Sequence, residues 1–180
     1  PSDTVILTKP VGTGVLATAI KGRLASDADI DQAVDSMASL NKTAAEVLAA
    51  FPVSACTDVT GFGLAGHLLE MAKGSNTRIE LAVKSVPLLD RAMEFATMGM
   101  IPAGAHKNRD FFAPLVEKNP GLDRALDDLM FDPQTSGGLL ACLPEKEAGQ
   151  CVETLREQGI QAAVVGQVTG QKKGGGIKMI

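Results

Sequence analysis

Residues 57–67 combine an acid, two hydroxyls and closely spaced glycines where an apolar segment ends and a helical pattern begins. Asp58 lies between two threonines, and a Gly-x-Gly pair that starts at Gly61 follows. A helix N-terminus favours negative charge, because its first backbone N–H groups have no partner within the helix. The pattern therefore predicts a site for phosphate, alone or with a metal ion, although Asp58 is equally well explained as a helix N-cap.

A second polar segment, from Asp132 to Gly138 (DPQTSGG), precedes a buried apolar stretch. As structure, its proline and paired glycines build a turn into a strand, and local chemistry favours this interpretation. As function, two hydroxyls followed by two glycine N–H groups could form a small anion-binding nest. Because the two polar segments have similar chemistry, we predict that they line one concave surface.

The glycines at Gly12 and Gly14 match the G-x-G-x-x-A pattern of dinucleotide-binding turns. That fold also needs a second strand ending in an acid about 20 residues later. Here the following acids, Asp27, Asp29 and Asp31, lie in the first turns of a capped helix instead. We therefore interpret both glycines as turn and packing residues.

Two other residues are of types that can take part in catalysis or metal binding, but each has a simpler structural interpretation. His67 falls on the polar face of the helix after Gly61, which predicts a surface or hydrogen-bonded side chain rather than a ligand or acid–base group. Cys56 ends a short apolar segment, which predicts a buried and unreactive thiol.

The elements that must position these residues alternate between strand and helix, with roughly six strands and five to seven helices. This order predicts an α/β (α+β) fold in which helices cover a mixed β-sheet. Hydrophobic residues make up 45% of the chain, and neither a repeat nor a linker divides it, so we expect one domain over residues 1–180. The patterns also predict a strand over 78–86, a helix from Pro87 to Gly99, a loop over 101–109, a helix over 111–116 and a helix end at Gly74.

Composition argues against several classes of protein. The net charge of −4 and the lack of Trp and Tyr argue against a nucleic-acid binder. No apolar run approaches the roughly 18 residues that a membrane span needs, so no membrane partner is expected. The three cysteines show no C-x-x-C spacing, which favours a reducing, cytoplasmic compartment. The start at Pro1, almost directly before an apolar run, suggests a piece of a longer protein.

Four segments together resemble the selenophosphate synthetase (selenide, water dikinase) family of the aminoimidazole ribonucleotide synthetase superfamily. Two are long and specific, namely residues 57–68 (TDVTGFGLAGHL) and residues 131–140 (FDPQTSGGLL). The other two are residues 7–16 (LTKPVGTGVL) and residues 102–108 (PAGAHKN), which end at Asn108. The likeness runs in order along essentially the whole chain.

The resemblance implies the C-terminal domain of an ATP-dependent phosphotransferase that makes selenophosphate from selenide, ATP and water and releases AMP and phosphate. It implies Mg²⁺ as cofactor, ATP as substrate and a homodimer, with Asp58 as a metal ligand. The family's essential Cys or selenocysteine and its partner Lys lie in an N-terminal ATP-binding half that this chain lacks, so no catalytic residue is assigned and the fragment alone is expected to be inactive. A non-catalytic binding or regulatory module of the same fold is one alternative. A superfamily relative that acts on a nucleotide or thiamine intermediate is another.

Overall fold

A seven-stranded mixed sheet organises residues 2–180, the part of the chain that the computed structural model describes. The strands are β1 (Asp3–Leu7), β2 (Ala55–Asp58), β3 (Thr77–Leu81), β4 (Val116–Lys118), β5 (Leu139–Pro144), β6 (Ala163–Gln171) and β7 (Gly176–Met179). The helices are α1 (Thr13–Lys21), α2 (Asp27–Ala38), α3 (Lys42–Leu48), α4 (Gly63–Ser75), α5 (Ala92–Thr97), α6 (Ala103–Phe112), α7 (Arg124–Met130) and α8 (Glu145–Glu157). The predicted α/β fold with a mixed sheet covered by helices is confirmed.

The strand order across the sheet is β2-β5-β1-β6-β3-β7-β4. Antiparallel pairs join β2 to β5, β5 to β1, β1 to β6 and β6 to β3, whereas β7 is parallel to both β3 and β4. Strand β2 thus lies at one edge of the sheet, and its last residue is Asp58.

Both faces of the central strands are buried. Val5 and Leu7 pack into the larger core, which helices α1, α4, α5 and α7 cover, while Ile6 packs into a smaller core beneath α3 and α8. Successive side chains of a strand point to opposite faces of the sheet. A strand covered on both faces therefore needs an unbroken apolar run, as at residues 5–7.

Non-local pairing corrects the expected strand over 78–86 and the helix expected at Pro87. Strand β3 ends at Leu81, and a short 3-10 turn follows at Val83–Ser85. The backbone around Pro87 instead pairs with Val11, whose N–H donates to the Pro87 carbonyl at 2.9 Å and whose own carbonyl accepts from Leu89 at 2.9 Å. The helix therefore begins only at Ala92.

Three local assignments were also wrong. The loop expected over 101–109 is largely helix α6, which Pro102 precedes as N-cap and which buries Ala105 and Phe112. The helix expected over 111–116 ends in a strand, because Val116 pairs with β7. Helix α4 continues past Gly74 to Ser75. Its C-cap is Asn76, which has the left-handed backbone conformation (φ 51°) that glycine often adopts at the end of a helix.

Candidate active site

The Asp58 carboxylate is exposed at the end of β2 and free of protein partners. Within residues 2–180 its side-chain oxygens accept no hydrogen bond and join no ion pair. Helix α4 begins at Gly63 with Phe62 as its N-cap, and no side chain caps it. The N-cap explanation of Asp58 is therefore wrong.

Main-chain contacts hold the Asp58 loop rigidly against its neighbours. Asn108 of α6 donates from Nδ2 to the carbonyl of Gly61 at 2.7 Å and to that of Phe131 at 3.0 Å. Gly63 has φ 71°, and a Cβ there would lie 2.7 Å from the carbonyl carbon of Phe131. Only glycine permits both this conformation and this close approach.

The two polar segments lie side by side, and that they line one concave surface stays a prediction. The Val59 N–H donates to the carbonyl of Gly138 at 2.9 Å, and the Gln134 N–H donates to the carbonyl of Thr60 at 3.0 Å. A Cβ on Gly137 would lie 2.2 Å from the Val59 carbonyl oxygen. The segment that begins at Asp132 thus supports the Asp58 loop from behind.

The Asp132 and Gln134 side chains of this second segment turn inward to the N-terminus of α1, whereas Thr135 and Ser136 are exposed. The Gln134 Oε1 accepts from the backbone of Gly12 at 3.1 Å and of Thr13 at 3.3 Å, and Asp132 Oδ2 accepts from Gly14 at 3.0 Å. A Cβ on Gly14 would lie 2.3 Å from Asp132 Oδ1. The structural interpretation of the Gly12-x-Gly14 motif is confirmed, because the protein's own acceptors occupy the helix end where a dinucleotide phosphate would bind.

Asp132 is fully buried in this network. Burial raises its pKa to about 7, and hydrogen bonds from the Gln134 side chain and from the backbone of Val15 and Gly14 partly offset that increase. Its Oδ1 atom has no hydrogen-bond partner within the described residues. The protonated carboxyl group is therefore favoured here below a pH of about 7.

Lys9 is a structural residue of the site that sequence reasoning missed. Its buried Nζ donates to the carbonyls of Ser36, Ser39 and Ser136 at 2.9, 2.6 and 2.8 Å. Burial lowers its pKa. The ammonium ties the C-terminal end of α2 to the segment beside Asp58, and its position directly after a buried strand was the available signal.

His67 is buried, so its expected position on a polar surface was wrong, although it is hydrogen-bonded as the same interpretation allowed. Its Nε2 lies 3.2 Å from Thr60 Oγ1, and its Nδ1 lies 3.1 Å from Glu70 Oε2. The Phe62 ring covers the imidazole with ring centroids 5.4 Å apart. A Cβ on Gly66 would lie 2.6 Å from the Phe62 Cβ, so a glycine lets this ring lie across the helix.

Cys56 is exposed, which corrects its expected burial. It shares the solvent side of the edge strand β2 with Asp58, since both are exposed while their neighbours in the strand are half-buried. Desolvation and the Asp58 carboxylate both raise the pKa of the thiol. The expected low reactivity is therefore retained, because the thiolate is the reactive form.

Asp58 offers one carboxylate to a metal ion. Within residues 2–180, no three or more His, Cys, Asp or Glu side chains converge to hold a metal. Magnesium is usually bound through one or two carboxylates together with substrate phosphates and water. The free carboxylate thus fits a shared metal–phosphate site.

Among residues 2–180, none of the helices combines the length and the apolar character that a membrane-spanning helix needs.

Curated relatives match nearly all of the chain. It is 47% identical over 167 residues to the selenide, water dikinase of Pelobacter propionicus. The alignment covers 92% of this chain and 48% of the relative. It is 44% identical over 169 residues to the selenide, water dikinase of Clostridioides difficile, with 93% of this chain and 49% of the relative covered. The chain spans about half the length of the curated relatives it matches.

Solved structures share the fold at low sequence identity. Thiamine-monophosphate kinase from Stenotrophomonas maltophilia superposes with a TM-score of 0.67 at 14% identity, covering 99% of this chain and 50% of that one. The hydrogenase maturation protein HypE in complex with ATP superposes with a TM-score of 0.60 at 22% identity, covering 94% and 43%. The family described as AIR synthase related protein, C-terminal domain, matches residues 1–178. With this match over the observed fold, the chain belongs to that family.

Proposed function

We propose that this chain is the C-terminal half of a selenide, water dikinase, which makes selenophosphate from selenide, ATP and water and releases AMP and phosphate. The observation that supports this most strongly is the 47% identity to such an enzyme over 92% of the chain. Residues 1–180 would form a single domain, and an N-terminal ATP-binding half would complete the protein. We further propose a cytoplasmic homodimer.

Asp58 is the residue by which this half would take part in the reaction, as a ligand to Mg²⁺. Its carboxylate is exposed, has no ion-pair or hydrogen-bond partner among residues 2–180, and precedes a loop whose main chain is fixed by Asn108 and by residues 134–138. A bound Mg²⁺ would neutralise charge on the phosphoryl oxygens of ATP. One carboxylate is too few for a complete site, so the remaining ligands would come from the other half and from the phosphates.

The buried residues of the segment from Asp132 to Gly138 would act as a support rather than as phosphate ligands. Its Asp132 and Gln134 side chains are already engaged by α1, and Gly137 and Gly138 contact the main chain of Val59. In this proposal the segment fixes the position of Asp58. Phosphoryl transfer depends on such positioning, because charge neutralisation and alignment supply most of its catalysis.

The test is a product analysis with the full-length protein. Incubation with ATP, selenide and Mg²⁺ should give selenophosphate, AMP and phosphate, resolved by ³¹P NMR, and the AMP should disappear when selenide is omitted. A parallel reaction with thiamine monophosphate in place of selenide tests the related-kinase alternative. A folded full-length protein that forms no selenide-dependent AMP would exclude this function and favour a non-catalytic module.

A further inference from the structure

Thr60, His67 and Glu70 form a continuous hydrogen-bonded row beside Asp58. The His67 imidazole is the centre, with Thr60 Oγ1 3.2 Å from Nε2 and Glu70 Oε2 3.1 Å from Nδ1. His67 and Glu70 are one turn apart on α4, and Thr60 lies in the loop before that helix. The His67 side chain is 11% exposed, whereas that of Glu70 is 52% exposed. The row thus runs from solvent, through a buried imidazole, to the loop that follows Asp58.

The carboxylate of Glu70 determines which nitrogen of His67 carries the proton. An ionised carboxylate only accepts hydrogen bonds, so Nδ1 must be the protonated donor. In neutral imidazole the other nitrogen, Nε2, is then an acceptor. With a neutral imidazole, Thr60 donates its hydroxyl hydrogen to Nε2, which leaves the lone pairs of its oxygen available to another donor.

The Thr60 hydroxyl is not needed to hold its own loop. The Thr60 carbonyl already accepts from Gly63 N–H and from Gln134 N–H, each at 3.0 Å. Asn108 fixes the next residue along the chain through the Gly61 carbonyl. Because the main chain is held by these contacts, a purely structural role explains little of the side-chain row.

Thr60 lies two residues after Asp58, in the loop that follows β2. Asp58 is exposed, Val59 is fully buried and Thr60 is half-buried. Two residues of chain span at most about 7 Å. This spacing leaves room for a water molecule between the Thr60 oxygen and a group bound at Asp58.

We propose that Glu70 and His67 are positioning residues that hold the Thr60 hydroxyl as a hydrogen-bond acceptor for the water that reacts at the phosphate site. This inference rests on the proposed function, in which water is a substrate. Thr60 contacts the water, whereas His67 and Glu70 act through Thr60. Phe62, tilted over the imidazole and edge-on to Phe112 at 5.6 Å, covers His67.

The first experiment measures the tautomer directly and needs no activity. The full-length protein is labelled with ¹⁵N-histidine, and the His67 signal is assigned by its loss in His67→Gln. We expect Nδ1–H with unprotonated Nε2 in wild type and in Glu70→Gln, whose amide oxygen still accepts, and loss of that preference in Glu70→Leu. An Nε2–H tautomer in the wild type would overturn the proposed row.

The second experiment separates positioning from folding. Thr60→Val should lower kcat about 10-fold or more, the value of one hydrogen bond to the reacting group, with the KM for ATP unchanged. Thr60→Ser should restore kcat to within about three-fold, and the exposed His106→Gln should behave as wild type. If Thr60→Val keeps wild-type kcat, or if its loss follows a lowered Tm, the proposal is wrong. A wild-type protein without selenide-dependent activity would instead refute the proposed function, while the NMR result stands separately.

Discussion

Gly137 approaches Val59 so closely that a Cβ on the glycine would lie 2.2 Å from the Val59 carbonyl oxygen. Val59 directly follows Asp58, so the backbone contact behind the sheet edge controls the position of the candidate metal ligand. A side chain at residue 137 must displace main chain, because neither partner is the flexible end of a side chain. This contact gives the first prediction.

Gly137→Ala should destabilise the domain by about 1–3 kcal/mol, the usual cost of overpacking. Urea unfolding of the full-length protein measures this change. Gly149→Ala is the matched control, because Gly149 lies within α8 with open space around its Cα. That variant should gain about 0.5–1 kcal/mol from the better helix propensity of alanine. Equal stabilities of the two variants would contradict the observed close contact.

Asp58→Asn should reduce activity of the full-length enzyme at least about 100-fold, because a metal bound there loses a charged ligand worth several kcal/mol. Its Tm should stay unchanged, since the carboxylate is exposed and caps no helix. Asp31→Asn, an exposed substitution on α2, is the control and should keep full activity. Near-wild-type turnover by Asp58→Asn would remove Asp58 from the site.

Asp132 should make folding stability fall as pH rises. Its pKa is raised from 3.8 to about 7 in the folded protein, so the folded state favours the protonated form. The stability contributed by that form is complete below pH about 4 and is lost as pH rises to about 7, on the order of 4 kcal/mol in all. Denaturant unfolding from pH 4 to 8 should show this loss relative to Asp132→Asn, whose amide does not titrate. Parallel pH profiles of the two proteins would show that Asp132 has an ordinary pKa.

The isolated chain of residues 1–180 should unfold cooperatively, because both faces of its central sheet are already covered by its own helices. Circular dichroism during heating would test this, and a gradual melt with dye-binding apolar surface would contradict it.

The same purified chain should release no selenide-dependent AMP from ATP, since it supplies one carboxylate of a shared site. Any such AMP above background would show that this half contains a complete centre.

Local patterns were sufficient where a residue's environment depends on its neighbours in sequence. The capped helix predicted around Asp27 and Asp29 is α2, which begins at Asp27 with a capping box of Ser26 and Asp29. The helix expected at Pro87 failed because its backbone bonds go to Val11, a partner that local periodicity does not reveal. Tertiary pairing overrode propensity there.

The candidate site shows the same division. Asp58 stood out because an acid beside glycines at a helix start is a local signal, although its metal role stays a prediction. The hydrogen bonds that Asp132 and Gln134 accept from the N-terminus of α1 could not be predicted from the sequence. These two residues are more than 115 positions from Gly12 and Gly14. The row of Thr60, His67 and Glu70 was missed for another reason: on the polar face of α4, His67 is buried beside the Phe62 ring while Glu70 is exposed, and periodicity does not distinguish the two.

The pairing of β2 with β5 also governs when the candidate site can form during synthesis. Asp58 of β2 pairs with Leu139 of β5, and residues 134–138 hydrogen-bond to the main chain of the loop that follows Asp58. Contacts of such sequence separation form late and slow the folding of small domains. On the ribosome, Asp58 leaves the exit tunnel long before its supporting strand has been translated. The edge on which it lies therefore remains an unpaired strand in the nascent chain until residue 144 has emerged, and an unpaired strand edge promotes aggregation.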